Sequence, residues 1–214
     1  MSVHAIVADR PGGPEVLQLR EVPDLTVGPG ELLVGTAAVG VNFIEIYQRS
    51  GVYPVAFPFT PGSEASGIVR AVGEGVAGVR VGDRITTSEA RATYADSFLV
   101  AAEGAVRVPD AVALDVAGAL PLQGLTAHYL ATSAAHAQPG DTALVHAGAG
   151  GVGLLLTQLL VARGVRVLTT ASTPAKRDLS RGAGASEVFA YDGFAERARE
   201  ATDGAGVHVV YDGV

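Results

Sequence analysis

The chain has 214 residues, 48% hydrophobic and 17% charged, which is too apolar for a disordered polymer and ample for a buried core. Fifteen basic against twenty-two acidic side chains leave a net charge of −7, which repels phosphate backbones and argues against nucleic acid as the main partner. With no cysteine in the chain, disulfides, thiolate nucleophiles and every cysteine-ligated metal site are excluded.

In chain order, residues 3–8, 17–22, 31–41, 65–72, 84–87 and 97–100 are short runs that favour strand. The turn clusters PGG (11–13), VGPG (27–30), GEGVAG (73–78) and VGD (81–83) punctuate them. Short strands without a long helical period predict a compact barrel-like or sandwich unit, with one helical insertion over 43–49. The character changes at residue 115. Helices are predicted over 115–120 and 124–135, with Pro121 as their break. A regular alternation follows, with strands at 142–146, 166–170, 187–191 and 207–212 and helices at 152–163, 174–182 and 193–202. Strands alternating with ten-residue helices predict βαβ units and a parallel sheet with right-handed crossovers. A doubly wound dinucleotide domain has six strands in the order 3-2-1-4-5-6. The four read here predict an incomplete sheet with strand four as an open edge. The expected division is 1–120 and 121–214.

The chemistry concentrates at residues 142–163, TALVHAGAGGVGLLLTQLLVAR. Gly148, Gly150 and Gly153 satisfy GxGxxG between a predicted strand and a predicted helix. There the glycines allow a tight turn and let free N–H groups at the helix start hold a pyrophosphate. An NAD site places an acid about 20 residues further on, at the end of the second strand, for the ribose 2′-hydroxyl. Here residues 170–177 read TASTPAKR, and no acid appears before Asp178. Lys176 is the chain's only lysine. This pattern disfavours NAD and favours NADPH, whose 2′-phosphate needs cationic and hydroxyl partners. Arg177 reads equally well as a solvated helix face.

With these motifs placed, the chain resembles the zinc-free NADPH:quinone oxidoreductases of the medium-chain dehydrogenase/reductase superfamily. The resemblance rests on GVNFIEIYQRSGVYP (40–54), PGSEASGIV (61–69), VGEGVAGVRVGDRI (72–85), LPLQGLTAHYL (120–130), HAGAGGVG (146–153) and VVYDGV (209–214). It implies a GroES-like β-barrel catalytic domain followed by an incomplete Rossmann domain, an α/β plus β fold with its active site in the cleft between the two. It further implies NADPH-dependent reduction of quinones and, for a longer form, a homodimer. Asn42 and Tyr47 fall on family positions that line the nicotinamide and substrate side. Tyr53 falls on a nearby substrate-side tyrosine, where ordinary packing is an equal reading. Thr126 corresponds to the residue beside the nicotinamide carboxamide. Gly150, Gly151, Val152 and Gly153 correspond to the pyrophosphate turn. Ser172, Lys176 and Tyr191 match positions around the 2′-phosphate. Zinc-dependent relatives carry cysteine where Asn42 stands and histidine where Ser63 stands, so no metal is expected.

The five histidines show no metal-ligand spacing, and GxSxG and GxxxxGK[ST] are absent. Glu64 reads as a buried structural carboxyl. Arg80 and Arg84, which flank Asp83, read as a solvated turn. The longest nearly apolar stretch, 152–162, has about half the ~20 residues a bilayer span needs. The first residues carry no basic-then-apolar leader, so a cytoplasmic protein without membrane attachment is expected. Two other functions fit the same pattern. One is reduction of enones, alkenals or enoyl thioesters; the other is a non-enzymatic NADPH-binding sensor or partner module.

Overall fold

A computed structural model describes residues 3–213. The chain forms two compact units, one ending at Leu122 and the other starting at Gln123.

In the first unit, β1 (Val3–Val7) and β2 (Gln18–Val22) make an antiparallel ribbon with Val3 opposite Val22. Five further strands form one antiparallel sheet: β3 (Glu31–Val39), β4 (Ala65–Val72), β5 (Arg84–Thr87), β6 (Ser97–Ala101) and β7 (Val106–Arg107), in the order β6-β3-β4-β5-β7. Strand alternation turns Leu32, Val34, Val69, Ile85, Phe98 and Val100 into a common core. β7 carries no apolar period and was not predicted. It exists because Val106 and Arg107 pair with Thr86 and Ile85 at the sheet edge. α1 (Phe43–Ser50) stops at Gly51, whose φ of +84° is the left-handed cap that glycine adopts without strain. α2 (Leu114–Ala119) lies on β3 and β4, where Ser66 Oγ donates to Leu114 O and Thr86 Oγ1 donates to Ala117 O. Arg84 is a correction to the sequence reading. Its guanidinium is three-quarters buried and donates to the carbonyls of Pro109 and Val112 rather than to solvent.

α3 (Pro121–Tyr129) runs into a π-helical turn, Leu130–Ala134. The expected break at Pro121 is instead the start of this helix. A proline's missing N–H costs nothing at the first helical position, where no partner exists for it. In the second unit β8 (Thr142–Val145), β9 (Arg166–Thr170), β10 (Glu187–Phe189) and β11 (Val209–Tyr211) are parallel in the order β10-β9-β8-β11. That is the 3-2-1-4 order expected of the first four strands of a doubly wound sheet. The crossovers are α4 (Gly151–Ala162), α5 (Pro174–Gly182) and α6 (Phe194–Glu200). All of β8 is buried. Ala143 and Val145 pack with Leu156 and Leu160 of α4, while Leu144 joins Leu168, Phe189 and Ala198 in a separate cluster. Helices on both faces explain why this strand is buried at every position and does not alternate apolar with charged residues.

Candidate functional site

The turn from β8 into α4 is shaped by backbone. Ala147 has φ +49°, a left-handed conformation that costs an L-residue about 1–2 kcal/mol. It folds the chain back so that Gly150 N donates to Ala147 O at 2.8 Å. Gly150 is the helix N-cap and supplies no side-chain cap. Among the described residues the N–H groups of Gly151, Val152 and Gly153 have no acceptor, while Leu154 N already bonds to Gly150 O. Three donors without an acceptor stand at the positive end of a twelve-residue helix, the arrangement that suits an anion. Gly148 and Gly153 are tightly enclosed, whereas Gly151 faces only the movable end of the Gln123 side chain. A Cβ on Gly153 would lie 2.3 Å from Ala147 O, on Gly148 2.5 Å from Thr169 Cβ, and on Gly151 1.7 Å from Gln123 Oε1. Gly148 rests on a buried pair, Thr169 Oγ1 and Ser180 Oγ at 2.7 Å, which holds α5 against β9. Thr126 is exposed on α3.

The end of β9 carries the second group. Ser172 is exposed, and Thr173 caps α5 by accepting from Lys176 N at 3.3 Å. The Lys176 ammonium is exposed and has no ion-pair or hydrogen-bond partner among the described residues. Arg177 is different, because its guanidinium folds back toward the carbonyls of Ala171 and Ser172 at 3.4 and 3.3 Å. Ala171 N donates to Phe189 O at 2.9 Å, so the segments bearing Ser172 and Tyr191 leave the sheet side by side. Tyr191 lies beyond β10 and is 39% exposed.

The first unit holds Asn42, Tyr47 and Tyr53 around α1. Asn42 is buried at the helix N-cap, yet its side chain does not cap the helix. Its Nδ2 donates to Glu64 Oε2 at 2.8 Å. Capping runs the other way, with Glu45 Oε2 accepting from Asn42 N at 2.7 Å, the reciprocal half of a capping box. Glu64 is fully buried and its other oxygen accepts from Leu122 N at 2.7 Å. Gly40 leaves the room for it, since a Cβ there would meet Glu64 Oε2 at 1.9 Å. Tyr47 and Tyr53 are part-exposed with ring centres 5.2 Å apart, and Phe43 stands edge-on to Tyr47 at 5.1 Å. These rings offer an aromatic surface with two hydroxyls. The sequence reading did not single out Glu45, although its three-residue spacing from Asn42 is the capping-box signature.

Glu45 is buried, its Oε1 has no partner, and Tyr94 OH donates to its Oε2 at 2.9 Å. Burial raises its pKa, and the nearby Glu64 carboxyl adds to that; the Asn42, Tyr94 and Ser63 hydrogen bonds oppose it without prevailing. Above pH 4.5, its ordinary value, the unfolded chain releases this proton while the folded protein retains it. Stability therefore falls as pH rises through the raised value and then levels off. Glu45→Gln is expected to flatten that slope, because its oxygen keeps both bonds and its amide nitrogen replaces the unpaired Oε1. Urea midpoints measured from pH 4.5 toward neutrality check this; an unchanged slope in the variant removes Glu45 as its source.

An antiparallel strand unit leading into a parallel sheet with a glycine turn after its first strand defines the dehydrogenase/reductase class. Residues 28–152 match the alcohol dehydrogenase GroES-like domain, and residues 151–214 match the zinc-binding dehydrogenase domain. The chain is 41% identical over 207 residues to a quinone oxidoreductase of Pseudomonas aeruginosa, covering 95% of this chain and 64% of the relative. A mycobacterial protein solved with NADPH is 49% identical with a TM-score of 0.95, covering 99% of this chain and 67% of that one. The Escherichia coli quinone oxidoreductase solved with NADPH is 38% identical with a TM-score of 0.96, covering 99% and 66%. The chain belongs to the quinone oxidoreductase family of the medium-chain dehydrogenase/reductase superfamily. It spans a little under two thirds of the length of the curated relatives it matches, 64% of one and 63% of another.

Zinc, implied by the description of the second matched domain, does not fit the donors present. Cysteine is absent, Asn42 turns an N–H donor toward Glu64, and the described residues contain no cluster of three His, Asp or Glu groups. A dinucleotide does fit. Three amides without an acceptor stand at the start of α4, and Lys176, unpaired among the described residues, follows Ser172 by four positions. No helix among the described residues is long and apolar enough to cross a membrane.

Proposed function

We propose that this chain binds NADPH and reduces small-molecule quinones without a metal. The end of β9 carries the cofactor reading, with Ser172 and the free Lys176 ammonium where an NAD site has an acid. The kinship with quinone oxidoreductases supports the substrate class. The amides of Gly151, Val152 and Gly153 hold the pyrophosphate, Ser172, Lys176 and Tyr191 hold the 2′-phosphate, and Thr126 meets the carboxamide. Asn42, Tyr47 and Tyr53 orient the quinone. NADPH, when bound, supplies a hydride. Conjugation in the quinone spreads the arriving charge onto a distal oxygen, where a tyrosine hydroxyl or water provides the proton. An isolated ketone has no such relay and needs a Lewis acid or a well-placed proton donor for its alkoxide.

The test is NADPH oxidation with a panel of quinones, enals and simple ketones. Turnover is expected with quinones and absent with ketones; turnover with enals alone moves the reading to an enone reductase. Saturable NADPH binding without turnover on any acceptor makes the chain a binding module. Lys176→Ala is expected to weaken NADPH about tenfold, the weight of one charge-assisted contact, with little change for NADH. Equal losses for both cofactors remove Lys176 from the 2′-phosphate.

A further inference from the structure

Tyr191 sits in the segment beyond β10 with no hydrogen bond to its hydroxyl among the described residues. Something other than its own backbone must hold its ring. His146, the first residue after β8, does so by geometry. Its imidazole lies nearly parallel to the Tyr191 ring, with an interplanar angle of 16° and centres 6.4 Å apart. Phe194, at the start of α6, closes on the imidazole edge-on at 4.8 Å and an interplanar angle of 89°. His146 Nδ1 shares a hydrogen bond of 2.9 Å with Thr170 Oγ1, and the Thr170 side chain is fully buried at the end of β9. His146 N is also tied, donating to Tyr211 O at 3.0 Å. The imidazole is therefore locked on one edge by the sheet and on another by Phe194. It presents a fixed flat face to a tyrosine that is otherwise half in solvent. One linked row, Thr170–His146–Tyr191, joins the carboxyl ends of three adjacent strands, β9, β8 and β10.

We infer that His146 is a positioning residue for cofactor selectivity, setting the preference for NADPH over NADH by holding the Tyr191 ring where its hydroxyl meets the 2′-phosphate. The inference rests on the NADPH reading proposed above. A fixed ring loses less freedom on binding than a mobile one, and that saving applies only to the cofactor that Tyr191 touches. NADH lacks the 2′-phosphate and gains nothing from it.

The experiment is a fluorescence titration of the whole chain and its variants with NADPH and, separately, NADH. His146→Leu keeps the volume and removes the flat face and the Thr170 bond. It is expected to lower the NADPH preference about three- to tenfold, the weight of an aromatic pair, with NADH affinity held within about twofold. His146→Phe restores the stacking face and is expected to keep most of the preference, which also guards against a variant that merely misfolds. In the double variant His146→Leu with Tyr191→Ala, the loss is expected to equal that of Tyr191→Ala alone, since His146 acts through that ring. Multiplying losses, or equal weakening of both cofactors by His146→Leu, overturns the inference. If the wild type prefers NADPH and Lys176→Ala erases that preference while His146→Leu leaves it intact, only the role of His146 falls. A wild type with no preference removes the cofactor reading and this inference together.

Discussion

Glu64→Ala is expected to lower the unfolding free energy of the first unit by about 3 kcal/mol, because it takes the acceptor from one buried and one part-buried donor at a cost of roughly 1–3 kcal/mol each. The donors are Leu122 N at 2.7 Å and Asn42 Nδ2 at 2.8 Å, and the Glu64 side chain that accepts from both is fully enclosed. Gly40 leaves the neighbouring backbone without a side chain able to replace it. Glu64→Gln keeps one oxygen acceptor and turns an N–H₂ group toward the other donor, so its expected cost is smaller, about 1–2 kcal/mol. Urea midpoints followed by circular dichroism rank the three proteins. A loss below about 1 kcal/mol for the alanine variant means that both donors find other acceptors, and Glu64 then holds nothing in place.

Gly153→Val is expected to weaken NADPH and NADH alike by at least about tenfold, through overpacking worth about 1–3 kcal/mol at the turn. A Cβ at this position lies 2.3 Å from Ala147 O and 2.9 Å from Gly148 Cα, both backbone atoms in a turn already folded at Ala147. Neither can yield without moving the Gly151–Gly153 amides. This loss differs in kind from that of Lys176→Ala, which spares NADH. Parallel titrations with both cofactors separate a damaged turn from a lost 2′-phosphate contact. Unchanged NADH affinity in Gly153→Val means that the turn does not hold the dinucleotide.

Much of the second unit was legible in the chain because its signals are local. The β-favouring runs of β8 and β9, the glycine turn between β8 and α4, and Thr173-Pro174 opening α5 are each written within a few residues. A strand buried on both faces carries mostly apolar or β-branched residues with little charge, and a helix start must satisfy or offer its own donors. The basic end of β9 was readable for the same reason. Reading failed where local preference is ambiguous. Pro121 looked like a break and is a start, and the two residues of β7 have no pattern of their own to detect.

Asn42 was a site candidate on family position, but its environment was not readable. Glu64 lies 22 residues from Asn42 and 58 from Leu122, and only the antiparallel sheet brings these groups together. Arg84 looked solvated because its neighbours in sequence are charged; its partners, Pro109 and Val112, are 25 and 28 residues away. The row from Thr170 through His146 to Tyr191 crosses three strands whose order follows from sheet pairing. The class of fold, the glycine turn after β8 and the lone lysine beyond β9 are thus properties of the chain itself, because hydrophobic period, turn chemistry and charge act over a few residues. The hydrogen bonds and ring contacts that hold Asn42 and Tyr191 belong to the folded state, because each needs partners that only chain closure over tens of residues brings within 3 to 7 Å.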